Sequence, residues 1–349
     1  MKIHEKYIKR CLQLAKNGLG TTRPNPMVGA VIVYEDKIIG EGYTSPYGGN
    51  HAEVNAIESV KDMKLLSKST IYVSLEPCSH FGKTPPCADL IVKHKIPKVV
   101  IGVLDDNSLV SGEGVKRLKK AGCEVEVGVS EKECRELNKR FFTFHNKRRP
   151  YIILKWAETK DGFIDLKRTE DAENQPTWIS NRYSQRLVHK WRSEEQGIIV
   201  GTNTVIKDNP RLNVRSWTGE DPIRIVLDNS LRIPKEACVF DGTVKTILFT
   251  SSRTAFSEKQ ENVQVALIDY SKDVPQQVCD VLFESEIQSL IIEGGAYTLQ
   301  SFINANLWDE ARVFTGISDF KKGIRAPKIN GTIRYEEDIV GDMLKTIVP

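Results

Sequence analysis

Between residues 51 and 87 the chain sets one histidine and two cysteines, in His51-Ala52-Glu53, Pro77-Cys78 and Pro86-Cys87. One imidazole and two thiolates supply three zinc ligands and leave a fourth position open for water. That is the layout of a catalytic zinc site, not of a closed structural one. Glu53 is not needed as a ligand, so its carboxylate can carry protons between water and a leaving group. Such ligands must meet in space although Ser79 to Pro86 separate the cysteines. Gly82 permits a turn in that insertion, and Pro85-Pro86 stiffens the return to a helix beginning near Cys87. His80, Lys83 and Thr84 stand on the loop, where they can face a substrate. The other cysteines, Cys11, Cys123, Cys134, Cys238 and Cys279, read as small buried hydrophobes. His4, His94, His145 and His189 read as surface or satisfied core residues.

H-x-E followed by P-C and a second cysteine also marks the zinc-dependent nucleobase deaminases, with the difference that their cysteines are usually spaced C-x-x-C. With 349 residues, two domains are expected. A net charge of +4 with acidic and basic residues interspersed does not point to nucleic acid. It is compatible with a locally positive pocket for a phosphorylated small molecule. No stretch is apolar enough to span a membrane, and no apolar run follows Met1 to Glu5 as a secretory signal would require. The 7 cysteines show no regular pairing. A reducing cytoplasm is therefore the expected setting for thiolate ligands.

Periodicity predicts an opening helix over 7–17, strands over 28–34 and 37–43, and a helix over 52–60. It continues with a strand over 70–75, a helix over 88–93, a strand over 98–103, a helix over 114–121 and a strand over 123–127. Strands alternating with helices give an α/β sandwich. Zinc then sits where strand ends and helix N-termini gather, which favours the thiolate form of Cys78 and Cys87. A single helix over 131–145 leads to a basic junction, Asn146-Lys147-Arg148-Arg149-Pro150. Beyond it, strands are expected over 151–156, 197–200, 223–228, 246–250, 290–292 and 310–315. Helices are expected over 184–192, 274–284 and 296–305. Glu293-Gly294-Gly295 falls between a strand and a helix, where glycines let backbone approach a pyrophosphate. No G-x-G-x-x-G is present, so the ordinary dinucleotide fingerprint is missing.

Arg23-Pro24-Asn25-Pro26-x-Val28-Gly29, His51-Ala52-Glu53 and the run Leu75 to Cys87 together resemble the deaminase half of the bifunctional riboflavin-biosynthesis deaminase/reductase family. The resemblance implies a cytidine-deaminase-like three-layer αβα domain over 1–146. It implies that Asn25, His80, Lys83 and Thr84 hold a pyrimidine and its ribose phosphate, with Asp105 and Asn107 lining the pocket. The chain departs from the family at two places. Thr44 stands where a histidine is usual, and Asp105-Asp106-Asn107-Ser108 replaces Asp-Pro-Asn-Pro.

Lys155-x-Ala157, Asp161-Gly162, Trp178-Ile179-Ser180, Arg192, the run Gly201 to Arg215 and Glu293-Gly294-Gly295 resemble the reductase half of the same family. This implies an α/β domain like dihydrofolate reductase over 147–349. It implies NADPH held by Ala157, Trp178, Thr204, Gly294 and Gly295. Substrate would be surrounded by Ser180, Arg192, Leu212 and Arg215, while Lys155, Asp208 and Glu293 are candidates for proton handling or orientation. Arginine suits a ribose phosphate because its guanidinium binds phosphate bidentately. Singly, each residue has a plain structural reading: Arg192 on a helix surface, Leu212 in the core, Asp208 in a turn.

The function so implied is zinc-dependent deamination of a diaminopyrimidine ribose phosphate, then NADPH-dependent reduction of its ribosyl group to ribityl, in a homo-oligomer. Two rivals share the zinc residues: a deaminase acting on nucleic acid, of the tRNA adenosine type, and a non-enzymatic nucleotide-binding module with structural zinc. Deamination of an RNA stem-loop without NADPH oxidation would favour the first. Zinc retained in Glu53→Gln with deamination lost would oppose the second.

Overall fold

The computed structural model describes residues 3–81, 85–106, 111–167, 177–252 and 262–349. Lys83, Thr84 and Asn107 lie outside them. The chain divides into two compact units, Met1–Arg148 and Arg149–Pro349.

In the first unit the strands are β1 (Gly29–Tyr34), β2 (Lys37–Tyr43), β3 (Thr70–Leu75), β4 (Lys98–Val103) and β5 (Glu124–Val127). They form one sheet in the order β2-β1-β3-β4-β5. β1 is antiparallel to both neighbours, and β3, β4 and β5 run parallel. The helices are α1 (Ile3–Ala15), α2 (Ala52–Glu58), α3 (Cys87–Lys93), α4 (Glu113–Lys120), α5 (Glu131–Leu137) and α6 (Lys139–Lys147). Side-chain alternation along β1 sorts them into layers. Ala30 and Ile32 pack with Ala56 and Ile57 of α2, Ala88 and Ile91 of α3, and Leu118 of α4. Val31 and Val33 pack on the opposite face with Tyr7, Ile8 and Cys11 of α1, Cys134 of α5, and Phe141 and Phe142 of α6. Helices therefore cover both faces, the three-layer arrangement expected.

The single helix expected over 131–145 is instead broken at Asn138. This residue is 2% exposed and sits at φ −101°, ψ 24°. Its side chain accepts from Met27 N (2.9 Å) and donates to Met27 O (2.9 Å). A buried residue bridging both backbone groups of a distant strand entry overrides helical periodicity. α6 runs on through Lys147, so the expected junction after residue 146 falls inside its last turn.

The second unit contains β6 (Tyr151–Glu158), β7 (Phe163–Asp165), β8 (Gly197–Gly201), β9 (Ile223–Leu227), β10 (Thr246–Thr250), β11 (Val263–Leu267), β12 (Ser289–Ile292), β13 (Glu310–Thr315), β14 (Ile324–Arg325), β15 (Thr332–Ile339) and β16 (Asp342–Val348). Its main sheet has the order β11-β10-β9-β8-β12-β6-β13-β16-β15, parallel up to β13 and antiparallel beyond. The helices are α7 (Arg182–Glu194), α8 (Thr202–Asp208), α9 (Val274–Glu284) and α10 (Ala296–Asn304). Ile152, Leu154 and Trp156 pack with Val278, Leu282, Leu299 and Phe302 of α9 and α10. Tyr151 and Ile153 face Val188 and Trp191 of α7. Strands buried on both faces read as continuous apolar runs, as Tyr151-Ile152-Ile153-Leu154 does. No helix among the described residues is long and apolar enough to cross a membrane.

Candidate functional site

The zinc residues converge. His51 is the N-cap of α2 and Cys87 is the first residue of α3. Cys78 follows β3 by three residues. His51 Nδ1 lies 3.6 Å from Cys78 Sγ and 3.3 Å from Cys87 Sγ, and the three donor atoms all fall within 4.8 Å of one another. The backbone N–H of Cys87 donates to Cys78 Sγ at 3.3 Å. A hydrogen bond from Cys87, aided by His51, pulls the Cys78 thiol down to about 4, while the shared proton and burial push Cys87 up. Imidazole and thiolate converging from three elements are the donor set and span that zinc takes. Glu53, in the first turn of α2, is 3% exposed. Burial first, then the charge of Cys78, raises its carboxyl to about 7.

Glu76 was missed by sequence reasoning. It is 4% exposed, and its carboxylate accepts from the backbone of Asp105 (3.3 Å), Gly112 (3.0 Å) and Val115 (3.1 Å). One buried carboxylate thus ties the end of β3, next to Cys78, to the loop after β4 and the start of α4. Its only signal was its place immediately before Pro77-Cys78. Asp105 is 8% exposed and His80 is exposed. Asn25 lies two residues before the Met27 backbone held by Asn138.

Both departures from the family have local explanations. Thr44 is 3% exposed; its N–H donates to Val28 O (3.0 Å), and its hydroxyl accepts from Val28 N (3.1 Å). Asp106, at a position where proline is usual, receives Arg135 Nη1 at 2.8 Å and Asn146 Nδ2 at 2.8 Å. These contacts pin the loop to α5 and α6 where a proline ring would have stiffened it.

In the second unit, parallel strands end around a cavity of about 840 Å³. Lys155, Ala157, Trp178, Ser180 and Thr204 line it. So do Asp208, Glu293, Gly294 and Gly295. Gly295 N donates to Thr204 Oγ1 at 2.9 Å, and a Cβ on Gly294 would stand 3.1 Å from the same side chain. The glycines therefore let α8 and the start of α10 approach closely. Arg192 joins this group through Glu293, with Nε to Oε1 at 3.0 Å and Nη2 to Oε2 at 2.7 Å. Burial would raise the Glu293 carboxyl, but the charges of Arg192 and Lys155 outweigh it and hold it at about 2. Burial lowers the Lys155 ammonium, and Arg192 adds to that while Glu293 opposes it.

Arg192 also donates to Asn213 O at 3.2 Å, which brings it to the loop carrying Arg215. Burial first, then the charges of Arg192 and Arg211, lowers the Arg215 guanidinium. Positive groups crowded in this way favour an anion. Leu212 is 2% exposed and packs with Val205, Ile233 and Val239. Its side chain belongs to the core and is not among the residues lining the cavity.

Sequence reasoning did not single out Asn203, Lys207, Asn229, Arg232, Tyr270 and Lys272, which line the cavity too. Several follow the carboxyl ends of parallel strands, the place where open α/β sheets bind ligands. That topological signal was available once the strands were ordered.

Two family models match the chain. The cytidine and deoxycytidylate deaminase zinc-binding region covers residues 1–103, and the RibD C-terminal domain covers residues 150–316. The riboflavin biosynthesis protein RibD of Aquifex aeolicus is 42% identical over 332 residues, 95% of this chain and 88% of that protein. That of Bacillus amyloliquefaciens is 37% identical over 318 residues, covering 89% and 84%. A solved structure of a diaminohydroxyphosphoribosylaminopyrimidine deaminase/5-amino-6-(5-phosphoribosylamino)uracil reductase from Thermotoga maritima superposes with a TM-score of 0.89 at 36% identity, covering 99% of each chain. Acinetobacter baumannii RibD gives 0.89 at 31% identity, covering 100% and 99%. A zinc-type deaminase unit followed by this reductase unit places the chain in the RibD family of bifunctional riboflavin-biosynthesis deaminase/reductases.

Proposed function

We propose that the chain takes 2,5-diamino-6-ribosylamino-4(3H)-pyrimidinone 5′-phosphate, deaminates it in the first unit and reduces the product's ribosyl group to ribityl in the second. The observation that carries the reading is the convergence of His51, Cys78 and Cys87 with Glu53 buried beside them. Zinc held by those three residues supplies, when bound, a water acidic enough to give hydroxide near neutral pH. Glu53 takes the proton of the attacking water and delivers it to the departing ammonia. Asn25, His80, Lys83, Thr84, Asp105 and Asn107 are the proposed contacts to the pyrimidine and its ribose phosphate.

NADPH, when bound, supplies the hydride to C1′ of the ribosyl group. Ala157, Trp178, Thr204, Gly294 and Gly295 would hold it against the cavity wall. Lys155 is the proposed proton donor, since burial weakens its hold on the proton. Glu293 orients Lys155 and is itself fixed by Arg192. Asp208 and Ser180 position the ribosyl group, and Arg192 and Arg215 attract its phosphate. Leu212 shapes that loop from within the core. A reducing cytoplasm suits the thiol ligands, and assembly as a homo-oligomer without nucleic acid is part of the same proposal.

The test supplies the diaminopyrimidine phosphate to zinc-loaded protein with and without NADPH, and follows ammonia and NADPH separately. Ammonia in both cases, with oxidation following deamination, is expected. Ammonia alone would remove the reductase assignment. Neither signal, with zinc bound, would remove the substrate.

A further inference from the structure

We infer that His189 is a positioning residue for phosphate recognition in the second unit: through Asn213 it sets Arg215 where the phosphate of the reductase substrate meets it. The inference rests on the reductase reading above, in which Arg215 attracts that phosphate.

The loop over 213–221 lies along one face of α7 and is held to it at several points. His189 and Arg192 stand three residues apart, hence side by side on the helix, and both converge on one acceptor. His189 Nδ1 lies 3.1 Å from Asn213 O, and Arg192 Nη1 donates to the same oxygen at 3.2 Å. Arg215 N stands 3.4 Å from the same His189 nitrogen. Within the loop, Asp221 Oδ1 accepts from Val214 N at 2.6 Å. Arg186 and Lys190 of α7 stand over the Trp217 ring, 5.6 and 5.7 Å from its centre. A Cβ on Gly219 would lie 2.5 Å from Ser193 Cβ, so loop backbone meets the helix there. Just before the loop, Leu212 holds φ 55°, a conformation uncommon for a bulky residue and kept only where the surroundings impose it.

These contacts leave the two arginines in different states. Arg192 commits its fork to Glu293 and Asn213. Arg215 is exposed, and no carboxylate among the described residues pairs with it. Its Nη1 donates to Asn213 Oδ1 at 3.3 Å, which leaves the rest of its donors for an anion. Asn213 is thus the link: its side chain meets the guanidinium, and its backbone oxygen is gripped from α7. His189 is 5% exposed, and burial, then the charges of Arg192 and Arg215, holds its imidazole down at about 4. As a neutral ring it fixes the loop without adding a further positive charge beside the arginines.

The experiment follows NADPH oxidation by the full zinc-loaded chain, with the deaminated pyrimidine phosphate and with its dephosphorylated counterpart. The proteins are wild type, His189→Leu, His189→Ala, His189→Asn, Arg215→Ala and the double variant His189→Leu/Arg215→Ala, each checked by thermal melting. Leu and Ala both remove the ring donor, and Leu keeps the space filled. Asn returns an N–H near the place of Nδ1. His189→Leu and His189→Ala should raise KM for the phosphate about 3- to 10-fold, the worth of one hydrogen bond, with kcat and the KM of the dephosphorylated compound within about twofold. His189→Asn should recover most of the loss. With Arg215 already replaced, His189→Leu should add nothing, because residues that act through one another are not additive. A phosphate KM unchanged in both donor-free variants, raised equally for the two compounds, or raised in full on top of Arg215→Ala would overturn the inference and leave the reductase reading standing. Arg215→Ala with an unchanged phosphate KM would remove the phosphate contact and the inference with it. Wild type that oxidises no NADPH would overturn the reductase reading itself.

Discussion

Arg192 and Glu293, separated by 101 residues, meet fork to fork at 3.0 and 2.7 Å, with side chains 11% and 8% exposed. The pair joins α7 to the end of β12 at the wall of the reductase cavity, with the Lys155 charge acting on the same carboxylate. A buried pair of this kind is costly to break from one side, because the surviving charge is left without a partner.

Glu293 therefore makes stability depend on acid. A carboxyl held at about 2, against an ordinary value of 4.5, stabilises the fold above the ordinary value, and the contribution is lost as pH falls toward 2. The shift corresponds to on the order of 3 kcal/mol. Thermal melts of Glu293→Gln should show a lower Tm at neutral pH and a gap from wild type that closes between about pH 4.5 and 2. A gap independent of pH would show that the pair does not set this dependence.

Glu53→Gln should keep zinc and lose deamination. The amide cannot shuttle protons, so ammonia release should fall on the order of 10²- to 10⁴-fold. Metal analysis should still find one zinc per chain. Loss of zinc in this variant would make Glu53 a ligand.

Removing zinc with a chelator should abolish ammonia release and spare the reduction of pre-deaminated substrate. Cys78→Ser and Cys87→Ser should reproduce that split, with zinc content falling in metal analysis. Loss of NADPH oxidation along with ammonia release would mean that the two units do not work separately.

Asn138→Ala should destabilise the first unit by about 3 kcal/mol, since the buried N–H and C=O of Met27 lose their partner together. The melting transition of that unit should drop. The affinity for the pyrimidine phosphate should also fall, because Asn25 lies on the segment that Asn138 holds. Unchanged affinity at a lowered Tm would take Asn25 out of the binding site.

Much of this was readable from residues alone. The runs Thr70-Ile71-Tyr72-Val73, Ile247-Leu248-Phe249 and Ala311-Arg312-Val313-Phe314 are buried strands with the expected bounds, because apolar residues there face two covered sides. β15 and β16 escaped. Thr332–Ile339 carries Arg334, Glu336, Glu337 and Asp338, and its burial shows no alternation, so no period marks it as a strand. α8 escaped because Gly201-Thr202-Asn203-Thr204 reads as a turn, while the fold uses Gly201 as its N-cap. The zinc ligands were legible because chemistry restricts them to few residue types at a recognisable order. Glu76 and Asn138 were not, because their roles depend on which backbone groups they meet, and only the assembled sheet determines that.

The loop between the zinc cysteines is closed by backbone at its base. Ala88 N donates to Cys78 O at 3.1 Å, beside the bond from Cys87 N to Cys78 Sγ. The two thiols are thus held together by the ends of the loop, whatever the number of residues between them. Closing a longer loop costs only about 0.6 kcal/mol for each doubling. The metal ligands are therefore independent of what the loop carries. A family that keeps the base can rewrite the span from Ser79 to Pro86, in length as well as in side chains, without parting the two thiols.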